Sequence, residues 1–422
     1  MHPYADSTLS LLSRGYAWAP ALRRRHGNAQ AIPTRLLGRP AVLLHGPEAV
    51  DFFYDERHVL RHGALPGPVL DTLFGQGAVH TLDGETHRGR KELFTSHLMT
   101  PDGVKSLGRL AREHWLRTVD GLRGGEAVLF DEMAVALAGA VCEWSGVHCA
   151  PGGEVRRLAQ DCVAMVDGFA TPGPRHWKAR RARSRQEHRL GQVIADIREG
   201  TAGSPAGKKP TVLEAVAAHQ EADGSLLDRH TAAVELLNVL RPTVAITWFT
   251  TFAAHALHRF PGVGEELRKD GDGAYARAFA HEVRRSYPFV PFVGGLASRD
   301  LSFGTQEVPE GTLVLLDVLG HHRDPALWPE PHCFDPRRFL GREPGPGELI
   351  PQGGGDARTG HRCPGEDITV HLLATLTSTL ADLDLDMPEQ DLSIPVTRIP
   401  TRPRSGITVR IPARSTERAP AR

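Results

Sequence analysis

Residues 351–366 read Pro-Gln-Gly-Gly-Gly-Asp-Ala-Arg-Thr-Gly-His-Arg-Cys-Pro-Gly-Glu, and a long apolar stretch follows from about Asp367. Glycines allow a backbone to approach a flat ligand closely. The predicted helix start places N–H groups and the positive end of a helix dipole near the sulfur of Cys363. These features favour a thiolate, which is a strong ligand for iron. The alternative is a buried, inert cysteine, but so glycine-rich a loop gives Cys363 no packing role.

The bulk composition limits the class of protein. The chain has 422 residues, with 50 basic and 50 acidic side chains, so its formal net charge is zero. This balance gives no electrostatic basis for nucleic acid as a partner. The length is typical of one large helical domain or of two fused ones.

Cysteine usage and hydropathy predict the compartment. The five cysteines (Cys142, Cys149, Cys162, Cys333 and Cys363) show no metal or disulfide spacing, and their odd number favours a reducing environment. Met1–Arg25 contains no apolar core of the signal-peptide kind. No apolar run approaches the ~18 residues that a membrane span needs. We therefore predict a cytoplasmic protein without a membrane anchor.

A second informative stretch covers residues 228–258, which are apolar nearly all round and predict a buried helix. Arg241-Pro242 stands in its middle. Pro242 removes a helix hydrogen bond, and a buried guanidinium needs an anionic partner. That partner is either a protein carboxylate from elsewhere in the fold, with Pro242 as a structural kink, or a ligand carboxylate bound bidentately by Arg241. We favour the ligand, because no carboxylate stands at helical spacing from Arg241.

Other candidates give weaker signals by themselves. His80 stands alone between Val79 and Thr81, a context more typical of a structural histidine. His87, Arg90 and Lys91 have the spacing of one helical face. That face is either an ordinary solvated cationic surface or a clamp for two anionic groups.

The cysteine loop resembles that of the cytochrome P-450 haem-thiolate enzymes, with His361 two residues before Cys363 and Gly365 two residues after it. It departs from the common pattern at Asp356, where a Phe is usual, and at Gly360, which comes one position late. In this form the loop resembles the fatty-acid peroxygenase branch.

Other segments extend the resemblance. Ordinary members have an acid–alcohol pair at the midpoint of the long helix, whereas Arg241-Pro242 is similar to the peroxygenases. Glu282 and Arg285 resemble the superfamily's Glu-x-x-Arg, which stabilises the haem-side core.

The resemblance implies a mostly α fold with a minor β region, in a single haem-thiolate domain over residues 1–422. Within it we expect a β hairpin at 32–46, a central helix over the haem at 228–258, the cysteine loop at 351–366 and a mobile tail at 412–422. The turn residues Gly38-Arg39-Pro40 also favour the hairpin.

The resemblance also implies a cofactor and site residues. Haem b is the expected cofactor, and Cys363 is its metal ligand. The expected propionate contacts are His87, Arg90, Lys91 and His361. Arg241, with Pro242 and His80, is expected in the catalytic site, where Phe74 supports His80. The expected lining of the acyl-chain channel is Phe289, Phe292 and Val293.

The implied function is hydrogen-peroxide-dependent oxidation of long-chain fatty acids, without an obligatory redox partner. Arg241 would bind the fatty-acid carboxylate, which then acts as the acid–base group that splits peroxide. The products are hydroxy acids, oxidised at the α or β carbon, and terminal alkenes formed by decarboxylation, which His80 favours. The alternatives are a reductase-driven monooxygenase and a non-catalytic protein that binds haem or fatty acid.

Overall fold

A computed structural model describes residues 5–169, 171–200, 209–383 and 385–413. Within these ranges the chain is mostly α-helical with a minor β region, as predicted. Of the predicted tail at 412–422, residues 414–422 lie outside the described residues. The helices are α1 Thr8–Arg14, α2 Trp18–Arg25, α3 Pro47–Tyr54, α4 Gly67–Val69, α5 Gly84–Leu98, α6 Pro101–Gly121, α7 Leu129–Ser145, α8 Gly153–Gly168, α9 Pro174–Arg198, α10 Val212–Ala218, α11 Arg229–Arg259, α12 Pro261–Lys269, α13 Ala274–Ser286, α14 Val318–His321 and α15 Glu366–Asp382.

The strands form one larger sheet and two small ones. The strands are β1 Ala31–Leu36, β2 Arg39–Leu44, β3 Val59–Leu60, β4 Glu126–Val128, β5 Phe292–Ala297, β6 Leu301–Phe303, β7 Gln306–Val308, β8 Leu313–Asp317 and β9 Thr408–Arg410. The larger sheet has the order β1-β2-β8-β5-β3, in which β2 and β8 are parallel and the other neighbours antiparallel. The remaining strands pair as β4-β9 and β6-β7.

The predicted hairpin at 32–46 is confirmed as β1 and β2, but its turn is not where the sequence placed it. Leu37 and Gly38 form the turn with φ angles of 53° and 74°, the positive values that a two-residue hairpin turn requires. Arg39 and Pro40 belong to β2. Pro40 is tolerated there because it is the second residue of the strand and lies next to the turn.

The central helix is confirmed as α11, which begins one residue after Asp228. The Asp228 carboxylate accepts hydrogen bonds from the backbone N–H groups of His230 and Thr231, so it caps the helix. Most of α11 is buried, and it packs against α7, α8, α9, α13 and α15. Pro242 lies inside the helix, which continues past it. The helix therefore brings Arg241 into the protein interior.

The cysteine loop packs on the aromatic ring of Tyr54 in α3. A Cβ atom on Gly353 would lie 2.9 Å from the Tyr54 hydroxyl, and one on Gly354 would lie 3.1 Å from its ring carbons. A Cβ on Gly355 would meet the Cβ of Tyr54 at 3.1 Å. The glycine run predicts the close approach of a flat ligand. In the structure, the flat group that these glycines approach is the Tyr54 ring.

A buried ion pair and a buried histidine fix the segments on either side of the loop. Glu282 and Arg285 are both fully buried, with 2.6 Å between Oε1 and Nη2. Arg285 also donates to the backbone carbonyl of His322 at 2.9 Å. His322 accepts a hydrogen bond from the Ile350 N–H at 3.0 Å, immediately before the loop begins. The predicted stabilising role of Glu282 and Arg285 thus has a physical basis in this network.

Among the described residues, none of the helices combines the length and the apolar character needed to cross a membrane.

The protonation of His322 gives a testable pH dependence. Burial, with a smaller contribution from the nearby Arg285 cation, lowers its pKa well below the usual 6.5. Below about pH 6.5 the unfolded chain binds a proton at this position and the folded protein does not. The unfolding free energy therefore decreases as the pH is lowered. When the pH is lowered from about 7.5 to 5.5, the unfolding free energy of the wild type should fall by ~1.4 kcal/mol more than that of His322→Gln. The Gln side chain can accept the same hydrogen bond but does not titrate.

Denaturant unfolding at the two pH values measures this difference. The exposed His26, changed to Gln, is the matched control. If His322→Gln and His26→Gln both keep the wild-type pH dependence, His322 is not neutral in the folded protein.

Candidate active site

Arg241 is a buried cation without an acidic partner. Its side chain is 6% exposed, and Nη2 donates to the Asn238 side-chain oxygen at 3.1 Å. Its Nε has no hydrogen-bond partner within the described ranges of the chain. In the part of the chain that the structure describes, no Asp or Glu oxygen lies within 4.0 Å of the guanidinium. The described residues therefore give no support to an internal salt bridge.

The electrostatics of Arg241 agree with this geometry. Burial, together with the nearby Arg183 cation, lowers the pKa of Arg241 to about 9. The groups that oppose this shift are the thiols of Cys162 and Cys363, not a carboxylate. The guanidinium is still charged at neutral pH. An anionic ligand that reached it would gain a strong, weakly screened attraction.

Phe74 and His80 lie beside this cation, as the sequence analysis expected of a common site. Their ring centroids are 4.5 Å apart, and the Arg241 Cζ lies 5.9 Å from the centre of the Phe74 ring. Burial and the Arg241 cation hold the pKa of His80 well below its ordinary value. His80 is therefore neutral at pH 7, and its buried Nδ1 has no hydrogen-bond partner in the part of the chain that the structure describes.

Phe74 ends a short π-helical turn, Leu70–Phe74, which is fixed by residues that sequence reasoning missed. Arg183 donates to the backbone carbonyls of Leu73 at 2.7 Å and Phe74 at 2.8 Å. The Asn238 amide donates to the same Phe74 carbonyl at 3.0 Å. A Cβ on Gly75 would overlap the Arg183 guanidinium, so this position requires glycine. Arg183 belongs to the basic run 178–185, to which the sequence analysis assigned no chemistry, yet it is 2% exposed.

Glu235 is a second missed residue, and it corrects the role predicted for Arg90. Its fully buried carboxylate accepts hydrogen bonds from the Val79 N–H at 2.8 Å and from Arg90 at 2.9 Å. Arg90 also pairs with Glu221. Because two carboxylates already neutralise Arg90, the structure does not support it as a propionate contact. The three-residue spacing of Glu235, Asn238 and Arg241 was the signal that could have identified this face of α11.

Cys363 begins the turn into α15. Its backbone N–H donates to the Gln352 carbonyl at 3.0 Å, and the Gly365 N–H donates toward its sulfur. Lys91 donates to the backbone carbonyls of Gly360 and Arg362, the second at 2.7 Å. Lys91 thus fastens the cysteine loop to α5.

The expected tendency of Cys363 toward a thiolate is only partly seen. The Gly365 N–H and the Lys91 cation lower the pKa of the thiol, but burial outweighs them and raises it. A bound metal cation would supply the missing positive charge, because a coordinating thiol loses its proton outright. Cys363 thus has the position of a metal ligand rather than of a free nucleophile.

His87 and His361 form a cluster between α5 and the cysteine loop. Their rings stack with centroids 4.0 Å apart. The His361 Nε2 lies 3.4 Å from the Asp83 Oδ1. Arg61, which the sequence analysis missed, is 8% exposed and stacks over the Phe53 ring at 4.2 Å.

This cluster supplies the donors that a haem requires. Arg61 Nη1 and His87 Nδ1 are buried and have no hydrogen-bond partner among the described residues. Two propionates would give these donors their missing acceptors, and the Cys363 sulfur would ligate the iron. The residues present therefore fit a haem, with Arg61, His87 and His361 as the candidates for propionate contacts.

The three predicted channel residues separate in the structure. Phe289 contacts Phe249 and Trp248 of α11, with ring centroids 5.0 and 6.0 Å away. Phe292 lies on β5 and packs edge-on against Trp18, at 5.6 Å. Val293 pairs with Leu316 of β8 and packs with the residues of the sheet. Of the three, only Phe289 has a ring contact with α11.

Comparison with known proteins places these features in a family. The Cytochrome P450 family model matches residues 273–408. The Putative cytochrome P450 138 of Mycobacterium tuberculosis is 27% identical over 351 residues, which cover 79% of this chain and 78% of that protein.

Solved structures are more similar. A structure of cytochrome P450SP alpha (CYP152B1) with (R)-ibuprofen has a TM-score of 0.91 and 42% identity, covering 96% of this chain and 98% of the other. A structure of wild-type cytochrome P450EX alpha (CYP152N1) with myristic acid has a TM-score of 0.90 and 36% identity, covering 96% of each chain. A structure of a cytochrome P450 OleT variant with arachidonic acid has a TM-score of 0.91 and 35% identity, covering 96% of this chain and 97% of the other. The chain therefore belongs to the cytochrome P450 haem-thiolate family, and within it to the CYP152 group.

Proposed function

We propose that this protein is a fatty-acid peroxygenase that uses hydrogen peroxide and needs no obligatory redox partner. It hydroxylates long-chain fatty acids at the α and β carbons and decarboxylates them to terminal alkenes. The observation that carries the proposal is Arg241, a buried cation with no carboxylate partner among the described residues. The ligands in the three similar CYP152 structures are all carboxylic acids.

The proposed cofactor is haem b, and the Cys363 sulfur would hold its iron. When bound, a thiolate-ligated haem supplies the chemistry that cleaves an O–O bond and oxidises a C–H bond. His87, His361 and Arg61 would bind its propionates. Lys91 contributes indirectly, because it fixes the backbone of the cysteine loop.

Arg241 binds and orients the substrate. Its planar fork can donate two parallel hydrogen bonds to a carboxylate, which fixes the direction of the acid as well as its position. Asn238 accepts from Nη2 and so holds the guanidinium in place. Arg241 is buried on an apolar helix, so water would screen its ion pair with a carboxylate only weakly.

The bound carboxylate also supplies the proton chemistry. A general acid–base group must lie within hydrogen-bond reach of the atoms it serves. Positions 241 and 242 are Arg and Pro, neither of which exchanges protons at neutral pH. His80 is neutral as well. The substrate carboxylate, held by Arg241, is therefore the group that would accept a proton from peroxide and return it.

Anchoring at the carboxylate determines where the substrate is oxidised. The carbons nearest to the anchor are the α and β carbons, and a fixed geometry favours reaction there over the distant end of the chain. Oxidation at either carbon gives a hydroxy acid. Oxidation at the β carbon with loss of carbon dioxide gives a terminal alkene.

His80 influences the choice between these products. The residue is a neutral hydrogen-bonding group, fixed by its contact with the Phe74 ring and lying near Arg241. It therefore acts through hydrogen bonding and shape rather than as a charged acid. The CYP152 resemblance associates His at this position with decarboxylation.

A reductase-driven monooxygenase is the main alternative. It requires a group on α11 that delivers protons to bound dioxygen, and Arg241-Pro242 does not provide one. Turnover with ferredoxin, its reductase and NADPH, in the absence of peroxide, would favour this alternative.

Replacing Arg241 tests the anchor. Arg241→Ala should lower kcat/KM for a saturated long-chain fatty acid and hydrogen peroxide by at least ~10²-fold, because a buried charge-assisted contact is lost. Arg241→Lys should retain part of the activity, since it keeps the charge but not the fork. Product analysis by gas chromatography without reductase gives the rates. The 60% exposed Arg109, changed to Ala, is the control.

Two results would contradict the proposal. One is wild-type activity in Arg241→Ala. The other is the absence of product from every variant with peroxide, accompanied by product when ferredoxin and its reductase are supplied.

Replacing His80 tests its influence on the product ratio. His80→Gln should lower the fraction of terminal alkene and raise that of hydroxy acids, while total turnover stays within ~10-fold of wild type because the polar side chain is conserved. The same product analysis measures both fractions. The exposed His188, changed to Gln, controls for general effects of losing a histidine. An unchanged ratio would remove His80 from the account.

A further inference from the structure

Two cysteines outside the active site lie in direct contact. Cys142 is in the last turn of α7, and Cys149 is in the loop that follows. Their sulfur atoms are 3.0 Å apart, and both are free thiols. A disulfide bond has a sulfur–sulfur distance of about 2.05 Å, so bond formation needs a movement of only about 1 Å. The spacing of the cysteines in the sequence does not predict this contact, and the structure shows no disulfide among its described cysteines.

The loop between the two cysteines is fixed at several points. The Cys142 carbonyl accepts a hydrogen bond from the Val147 N–H at 3.0 Å. Arg189 of α9 donates to the His148 carbonyl at 2.8 Å. The Ala150 N–H donates to the Glu154 carboxylate of α8 at 2.9 Å. Hydrogen bonds from α7, α8 and α9 to the loop backbone therefore hold the two thiols in contact.

The two sulfur atoms have different chemical environments. Arg189 Nη2 lies 3.1 Å from the Cys149 sulfur. The hydrogen bond from the Cys142 thiol and the Arg189 cation lower the pKa of Cys149 to about 6. The same hydrogen bond and burial raise the pKa of Cys142. Cys149 is therefore the more acidic of the two cysteines and forms a thiolate more readily than Cys142.

A small oxidant can reach Cys149 from solvent. The two cysteines line a surface cavity of about 510 Å³, together with His114, Glu143 and His148. Cys149 is half-buried, whereas Cys142 is 4% exposed and lies behind it. Thiolates at accessible, electropositive positions are the cysteines that peroxide oxidises first.

We propose that Cys142 and Cys149 form a peroxide-reactive dithiol, in which Cys149 is the attacking and Cys142 the resolving residue. This pair closes an internal disulfide at the end of α7. Because α7 packs along α11, the disulfide constrains the helix that flanks the one bearing Arg241. The proposed function makes peroxide the normal co-substrate, and only this physiological link depends on it. The thiol chemistry stands independently.

The chemistry consumes one hydrogen peroxide for each disulfide. The Cys149 thiolate attacks one peroxide oxygen, so that a sulfur–oxygen bond forms, the O–O bond breaks, and the departing hydroxide takes a proton to become water. The Cys142 thiol then loses its proton and attacks the Cys149 sulfenic sulfur. The sulfur–oxygen bond breaks and a second water leaves. Two thiols are oxidised, and peroxide is reduced to two waters.

The experiment titrates haem-loaded wild-type protein with hydrogen peroxide in stepwise equivalents, because the haem site also consumes peroxide. The remaining thiols are then alkylated after denaturation and mapped by mass spectrometry. Two thiols should be lost together, with a mass decrease of about 2 Da and a linked Cys142–Cys149 peptide that dithiothreitol releases. The melting temperature should rise by a few degrees on oxidation and return on reduction, because the cross-link constrains the unfolded chain.

Three variants provide the controls. Cys142→Ser should stop at a sulfenic acid on Cys149, which dimedone labels. Cys149→Ser should leave Cys142 unoxidised at the same peroxide dose. Cys162→Ser, at a deeper and separate cysteine, should still form the disulfide.

The proposal is overturned if Cys149 proceeds to sulfinic acid while Cys142 remains free, or if the disulfide forms with Cys162 or Cys333 instead. It is also overturned if Cys149 reacts no faster than Cys333, the exposed cysteine. These readouts count thiols and masses, so failure of fatty-acid turnover would not be confused with failure of this inference.

Discussion

The buried positive charge of Arg241, on the apolar helix α11, is the constraint on which the rest of the site depends. An uncompensated buried charge costs several kcal/mol, and the described residues provide one neutral acceptor, Asn238, rather than an anion. The fold keeps this cost because α11 is held on several sides by other helices. A ligand carboxylate would remove the cost, and this gives the site a preference for acids before any contact with an acyl chain is considered.

The neighbouring acids are arranged so that they do not neutralise Arg241. Glu235 lies on the same face of α11, two three-residue steps earlier, and binds Arg90 and the Val79 N–H instead. Asn238 stands between them and contacts both Glu235 and Arg241. Glu235 and Asn238 thus bind the segment that contains Phe74 and Val79. Arg241, the third polar residue on this face, has no carboxylate partner among the described residues.

The sequence predicted the elements with strong local signals and failed where contacts come from distant residues. The central helix and the cysteine loop were predictable, since one is apolar all round and the other combines glycines with a lone cysteine. Arg90 was assigned with His87 and Lys91 because spacing shows that residues share a face, but not which acids meet them. Glu221 and Glu235 reach Arg90 from other elements.

Arg183 and Arg61 were missed for the same reason. A basic run is normally solvated, and nothing local distinguishes Arg183 from its exposed neighbours. Its role comes from packing against the segment that carries Phe74. Arg61 similarly shows its significance only through its burial and an unpartnered nitrogen.

The central claim is that the carboxylate of the substrate neutralises the buried positive charge of Arg241. The most direct measurement compares binding of a saturated long-chain fatty acid and of the alcohol of equal chain length to the haem-loaded protein by calorimetry. The account predicts that the acid binds at least ~10²-fold more tightly and that Arg241→Ala abolishes the difference. Equal affinities for acid and alcohol in the wild-type protein would contradict it.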